Sequence, residues 1–133
     1  MVLIKERIGK MLEYLKDQIY PESVPIGKYC MIKTDQRFAD VANLDTSDWE
    51  KFTNTQIWGG HREYYWFETS VTVPDEFEGK CIVYELRTGR EGEWDATNPQ
   101  FTIYVNGALV QGLDINHREI ILAEQAKAGT QYR

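Results

Sequence analysis

Hydrophobic positions recur at three- and four-residue steps at the start of the chain. Ile4, Ile8, Met11, Leu12, Leu15 and Ile19 alternate with Lys5, Glu6, Lys10, Glu13, Lys16 and Asp17. Side chains so spaced share one helical face, so residues 1–20 are expected to form an amphipathic helix with an apolar stripe and a charged side. Glu6 and Lys10 add an acid-before-base pair one turn apart. Pro21 and Pro25 end the segment, because proline has no N–H for a helix interior to use.

From residue 21 to 56 no period persists. Pro, Gly, Asp, Asn and Ser punctuate the stretch, and isolated hydrophobes (Phe38, Val41, Leu44, Trp49, Phe52) are expected to pin an irregular connection onto the core. Structureless loops of that length are uncommon, so short strands or turns are expected inside it. Asp45–Thr46–Ser47–Asp48 is a natural opening for a turn before Trp49.

After Gly59–Gly60 the period becomes two. Arg62–Val73 reads as one strand with Tyr65, Phe67, Thr69, Val71 and Val73 on one face, stopped by Pro74. Lys80–Thr88 reads as a second strand. Gln100–Val105 and Ala108–Gln111 flank Asn106–Gly107, a pair suited to the two positive-φ positions of a type I′ hairpin turn. Arg118–Leu122 reads as a fifth strand and Glu124–Ala128 as a helical turn. Short strands with no helix between them predict a mainly β fold, an antiparallel β-sandwich or jelly roll preceded by the amphipathic helix. The division expected is helix 1–20, connection 21–56 and sandwich 57–133 in one domain. A last strand starting at Thr130 looks unfinished, which predicts an unpaired edge and a truncated sandwich.

A length of 133 residues suits one domain. Fifteen basic residues against twenty-one acidic leave a net charge of −6, which argues against nucleic acid or an anionic membrane as partner. No apolar run approaches the roughly 18 residues of a membrane span. Met1–Lys10 lacks a secretory hydrophobic region, so the cytoplasm is the default location, with Cys30 and Cys81 expected as reduced thiols.

Three stretches could carry chemistry. Asp114, Asn116 and His117, with Glu119 beyond, hold potential metal ligands, but their spacing matches no zinc motif and equally describes a turn capped by its own side chains. Glu91, Glu93 and Asp95 surround Trp94, as a pair of glycosidase carboxylates beside a sugar platform would, and also as an ordinary solvated loop would. Gln56–His61 (QIWGGH) offers Trp58 and His61, with Trp58 expected in packing and Gly59–Gly60 too short to cradle phosphate. His61 and His117 are the only histidines, which excludes a His-rich metal site. From its residues alone the chain reads as non-catalytic, with Trp58, His61, Glu93, Trp94, Asp95, Asp114, Asn116 and His117 as candidate sugar or interdomain contacts.

RIGKML (Arg7–Leu12), LDTSDW (Leu44–Trp49), WGGHREYYWF (Trp58–Phe67) and FTIYVNGALVQGLDINHREIIL (Phe101–Leu122) together resemble the N-terminal region of bacterial α-mannosidases of glycoside hydrolase family 38. The YVNG hairpin also resembles the galactose-binding-like sandwiches that precede many glycosidase domains. The resemblance implies a galactose-binding-like β-sandwich ahead of a large catalytic domain, in which zinc and an aspartate nucleophile carry out retaining hydrolysis of α-mannosides. No catalytic or zinc-binding motif of that later domain has a matching position here, so no catalytic, cofactor or metal residue is assigned to this chain. The partners implied are the parent enzyme's own catalytic domain, further copies in a homo-oligomer, or a mannoside ligand. A carbohydrate-binding module and a free-standing interaction domain are the alternative functions.

Overall fold

The computed structural model describes residues 2–89 and 98–133. The opening stripe forms helix α1 (Val2–Ile19), with Tyr20 outside it and Pro21 next. Its apolar residues are exposed along its length, from 51% at Ile8 and Leu15 to 74% at Leu3, so the stripe covers none of the sandwich. Among the described residues no helix is long and apolar enough to cross a membrane.

The body is built from antiparallel strands. β1 (Lys28–Lys33) lies between β2 (Glu50–Thr53) and β3 (Tyr65–Glu68) in a three-stranded sheet ordered β2-β1-β3. Tyr29 faces Phe52 across one ladder and Met31 faces Phe67 across the other, which gathers all four on one face. Phe52, 7% exposed, meets Tyr29 and Phe67 edge-to-face at 6.5 and 5.3 Å. Elsewhere on the sheet Trp66 takes Phe38 edge-on at 5.1 Å, and Phe38 in turn touches Trp49 at 6.0 Å. The Trp66 indole N–H donates to the Gln36 carbonyl at 3.1 Å. These contacts explain why isolated aromatics punctuate an otherwise polar connection: each fastens a loop to the sheet.

Three two-stranded ladders complete the fold. β4 (Val71–Thr72) pairs with β9 (Gln131–Tyr132), β5 (Ile82–Glu85) with β8 (Glu119–Ala123), and β6 (Phe101–Val105) with β7 (Ala108–Leu113). The β6–β7 hairpin turns through Asn106 and Gly107 at φ 51° and 83°, the two positive values that a type I′ turn needs. The fold is mainly β, antiparallel throughout its ladders, and fits a β-sandwich preceded by a helix.

Four expectations are corrected. The sheet begins at Lys28 rather than 57: β1 and β2, the short strands expected within the 21–56 connection, extend it on one side of β3. Arg62–Val73 is two strands: β3 pairs with β1 and β4 with β9, and at the break the Thr69 hydroxyl donates to the Lys28 carbonyl at 2.8 Å. Glu124–Ala128 contains no helical turn. Its backbone is bonded across to the β5 approach, with Ala126 N–H donating to Lys80 O at 2.8 Å and Gly79 N–H to Ala126 O at 2.7 Å. The final strand is not an unpaired edge, since Gln131 and Tyr132 face Thr72 and Val71.

Among the described residues the buried hydrophobic side chains are few: Phe52, Val73, Leu113, Ile120 and Ala126. Among the described residues no large side chain is fully enclosed. Between the layers lies an open cleft of about 2310 Å³ that Tyr29, Phe52, Trp58, Phe67, Tyr84 and Phe101 help to line.

Candidate functional site

The cleft wall is organised around Trp58. Its ring meets Tyr65, Phe67 and Phe101 edge-to-face at 5.5, 4.8 and 5.7 Å. Tyr65 and Phe67 stand two residues apart on β3 and therefore point the same way, while Phe101 opens β6. Gly59, at φ 93°, follows Trp58 and lets the chain turn away from it. Such edge-to-face clusters favour a fixed geometry.

At the same place β1–β3 register sets Lys33 opposite Tyr65. The Glu63 carboxylate binds both: one oxygen accepts from the Lys33 ammonium, the other from the Tyr65 hydroxyl at 2.5 Å. The Lys33 ammonium also lies 5.9 Å from the Tyr65 ring centroid. The hydrogen bond from Lys33, then that from Tyr65, holds the Glu63 carboxyl below the usual carboxylate range. The bond to Glu63 raises the Tyr65 phenol, and the same carboxylate raises the Lys33 ammonium. A side-chain carbon at Gly60 would stand 2.6 Å from the Glu63 carboxyl carbon, so glycine there leaves the carboxylate its room. A carboxylate held ionised by two donors is a poor proton donor.

Tyr29 and Tyr84 also line the cleft. Burial, ahead of the neighbouring phenol, pushes Tyr84 well above its ordinary value, and burial raises Tyr29 as well.

Asp114, Asn116 and His117 come together in one exposed turn. One Asp114 carboxylate oxygen accepts the N–H groups of Asn116 at 2.8 Å and His117 at 2.7 Å, and His117 Nδ1 lies 3.1 Å from the same oxygen. The two backbone donors, His117 first, lower the Asp114 carboxyl. The acid is thereby spent on its own turn, as the structural reading of the sequence required. Asn116 and His117 line a shallow depression with Gln111, Arg118 and Glu119, separate from the cleft that Trp58 and His61 border. The candidate residues thus fall at two places. Glu93, Trp94 and Asp95, with Glu91, lie outside the described residues.

Among the described residues no three of His, Cys, Asp and Glu gather to hold a metal ion. The zinc that the resemblance implies was expected in the later catalytic domain, and no described residue is assigned to it. Cys30 and Cys81 are free thiols. Sequence reasoning missed Lys33, Glu63 and Tyr65. Glu63 and Tyr65 share a period-two face and could have been paired, whereas Lys33 joins them only through β1–β3 register.

Comparison with protein-family models, with curated proteins and with solved structures finds no match.

Proposed function

We propose that this chain is the non-catalytic N-terminal β-sandwich domain of a zinc-dependent α-mannosidase, with docking and architecture as its work. One observation supports the architectural part of this reading: among the described residues the aromatic wall around Trp58 borders an open cleft of about 2310 Å³. Small-molecule pockets enclose roughly 300–1,000 Å³, so the space is too large and open for a sugar and suits a packed protein layer. The parent enzyme's own catalytic domain is the occupant that the motif resemblance supplies, and the mannoside chemistry and zinc belong to that domain. Cytoplasmic residence belongs to the same proposal.

The rival reading, a mannoside-binding module, has less support. A stacking platform must present a free ring face; the ring of Trp58 is already engaged by Tyr65, Phe67 and Phe101, while Trp94, the other candidate platform, lies outside the described residues. Two measurements on the 133-residue chain test the proposal. With an activated α-mannoside and added zinc no turnover is expected, and calorimetric titration with mannose oligosaccharides to millimolar concentration should give no binding heat. Turnover proportional to chain concentration would overturn the non-catalytic reading, and saturable heat would establish the module.

A further inference from the structure

We propose that α1 pairs antiparallel with α1 of a second copy of this chain, in a two-helix coil that lies outside the sandwich and is independent of the cleft's occupant. Ile4, Ile8, Met11 and Leu15 follow a 4-3-4 spacing, the narrow seam of one helix packed on another rather than the broader face that covers a sheet. Each of the four is 51–62% exposed. An isolated helix of 18 residues is marginal in water, so this one needs a partner along its stripe.

Charge selects the second copy and its direction. The first turn contains no acid, and Lys5, Arg7 and Lys10 outweigh Glu6 in the first half, whereas Glu13 and Asp17 outweigh Lys16 in the second. The positive end of the helix dipole therefore lies with the basic half, an arrangement that a parallel pair would double and an antiparallel pair relieves. With Ile4 set against Leu15 and Ile8 against Met11 of the second copy, the twofold axis repeats both contacts and makes four apolar layers. Arg7 then lies across from Tyr14 of the second copy, and the Lys5 stem from its Leu12, so no like charges face each other beside the seam. Leu12, 55% exposed, adds to the seam beside Met11 and Leu15.

Sedimentation equilibrium of the whole chain at ~100 μM should give a dimer, and Leu15→Glu should weaken association by on the order of 100-fold or more, because it buries a charge in the seam. Helical ellipticity of the unsubstituted chain should fall on dilution, as the helix loses its partner. Disulfide trapping in a Cys30→Ser, Cys81→Ser background reads direction. A mixture of Ile4→Cys and Leu15→Cys chains should cross-link, and neither alone should do so. A monomer at ~100 μM, helicity unchanged across a dimer–monomer dilution, cross-linking of Ile4→Cys with itself, or no cross-link in the mixture would each overturn the proposal.

Discussion

Gly107 sits so close to Ala42 that a side-chain carbon at position 107 would overlap both the Ala42 methyl group and its backbone. The contact seats the β6–β7 hairpin turn on the 40–44 loop. Arg133 braces the same corner: its backbone N–H donates to the Asn106 side chain at 2.9 Å, and its guanidinium donates to Glu68 at 3.1 Å and to the Leu44 carbonyl at 2.5 Å. Gly107 also holds φ 83°. Gly107→Ala therefore combines backbone strain with a clash and should cost about 1–3 kcal/mol. Chemical denaturation checks this, with Gly129→Ala as the control: position 129 also holds a positive φ, 78°, but a side-chain carbon there would meet nothing within 4 Å, so strain alone should cost less than strain with a clash.

Trp58 joins β3 to β6 through three ring contacts. Trp58→Ala should destabilise by about 2–3 kcal/mol, below the ~3–5 kcal/mol of a fully enclosed aromatic because the ring borders an open cleft. A smaller loss, under about 1 kcal/mol in denaturant titration, would mean that the ring is not a structural tie.

Glu63 gives the fold an acid-side dependence. Its carboxyl lies below its ordinary value of 4.5 because the folded chain supplies Lys33 and Tyr65 as donors. A group depressed by folding stabilises above its unfolded pKa, and the contribution is lost as pH falls through the folded value. Denaturation midpoints should therefore decline as pH drops below about 4.5, and Glu63→Gln should flatten that decline. Asp40, Asp45 and Asp114 are lowered by local hydrogen bonds and leave a residual slope.

At the alkaline end the sign reverses. Tyr29, Tyr65 and Tyr84 all stand above the ordinary phenol value of 10.0, so each contributes stability below that pH and loses it as pH rises through the folded value. Stability should fall above about pH 10. Tyr84→Phe should reduce the steepness of the fall, and absorbance at the phenolate band should show tyrosines that titrate only as the chain unfolds.

Local pattern carried the elements whose causes are local. Ile4 through Ile19 announced α1, and Asn106–Gly107 announced the β6–β7 turn, because a helical stripe and a positive-φ pair are written within a few residues. Pairing between distant segments was not so written. Lys28–Lys33 has no clear alternation, and it is a strand because Glu50–Thr53 and Tyr65–Glu68 flank it. The break after Glu68 likewise depends on β9, some sixty residues onward. The candidate site divides in the same way. The Asp114 turn was legible from its spacing, whereas the Lys33–Glu63–Tyr65 cluster arises from register between β1 and β3.

Calorimetric titration of this chain with a bacterial family 38 catalytic domain lacking its own N-terminal region tests the docking reading most directly. Saturable one-to-one binding that Trp58→Ala weakens is the expected result. No binding heat at ~100 μM of both components would contradict it.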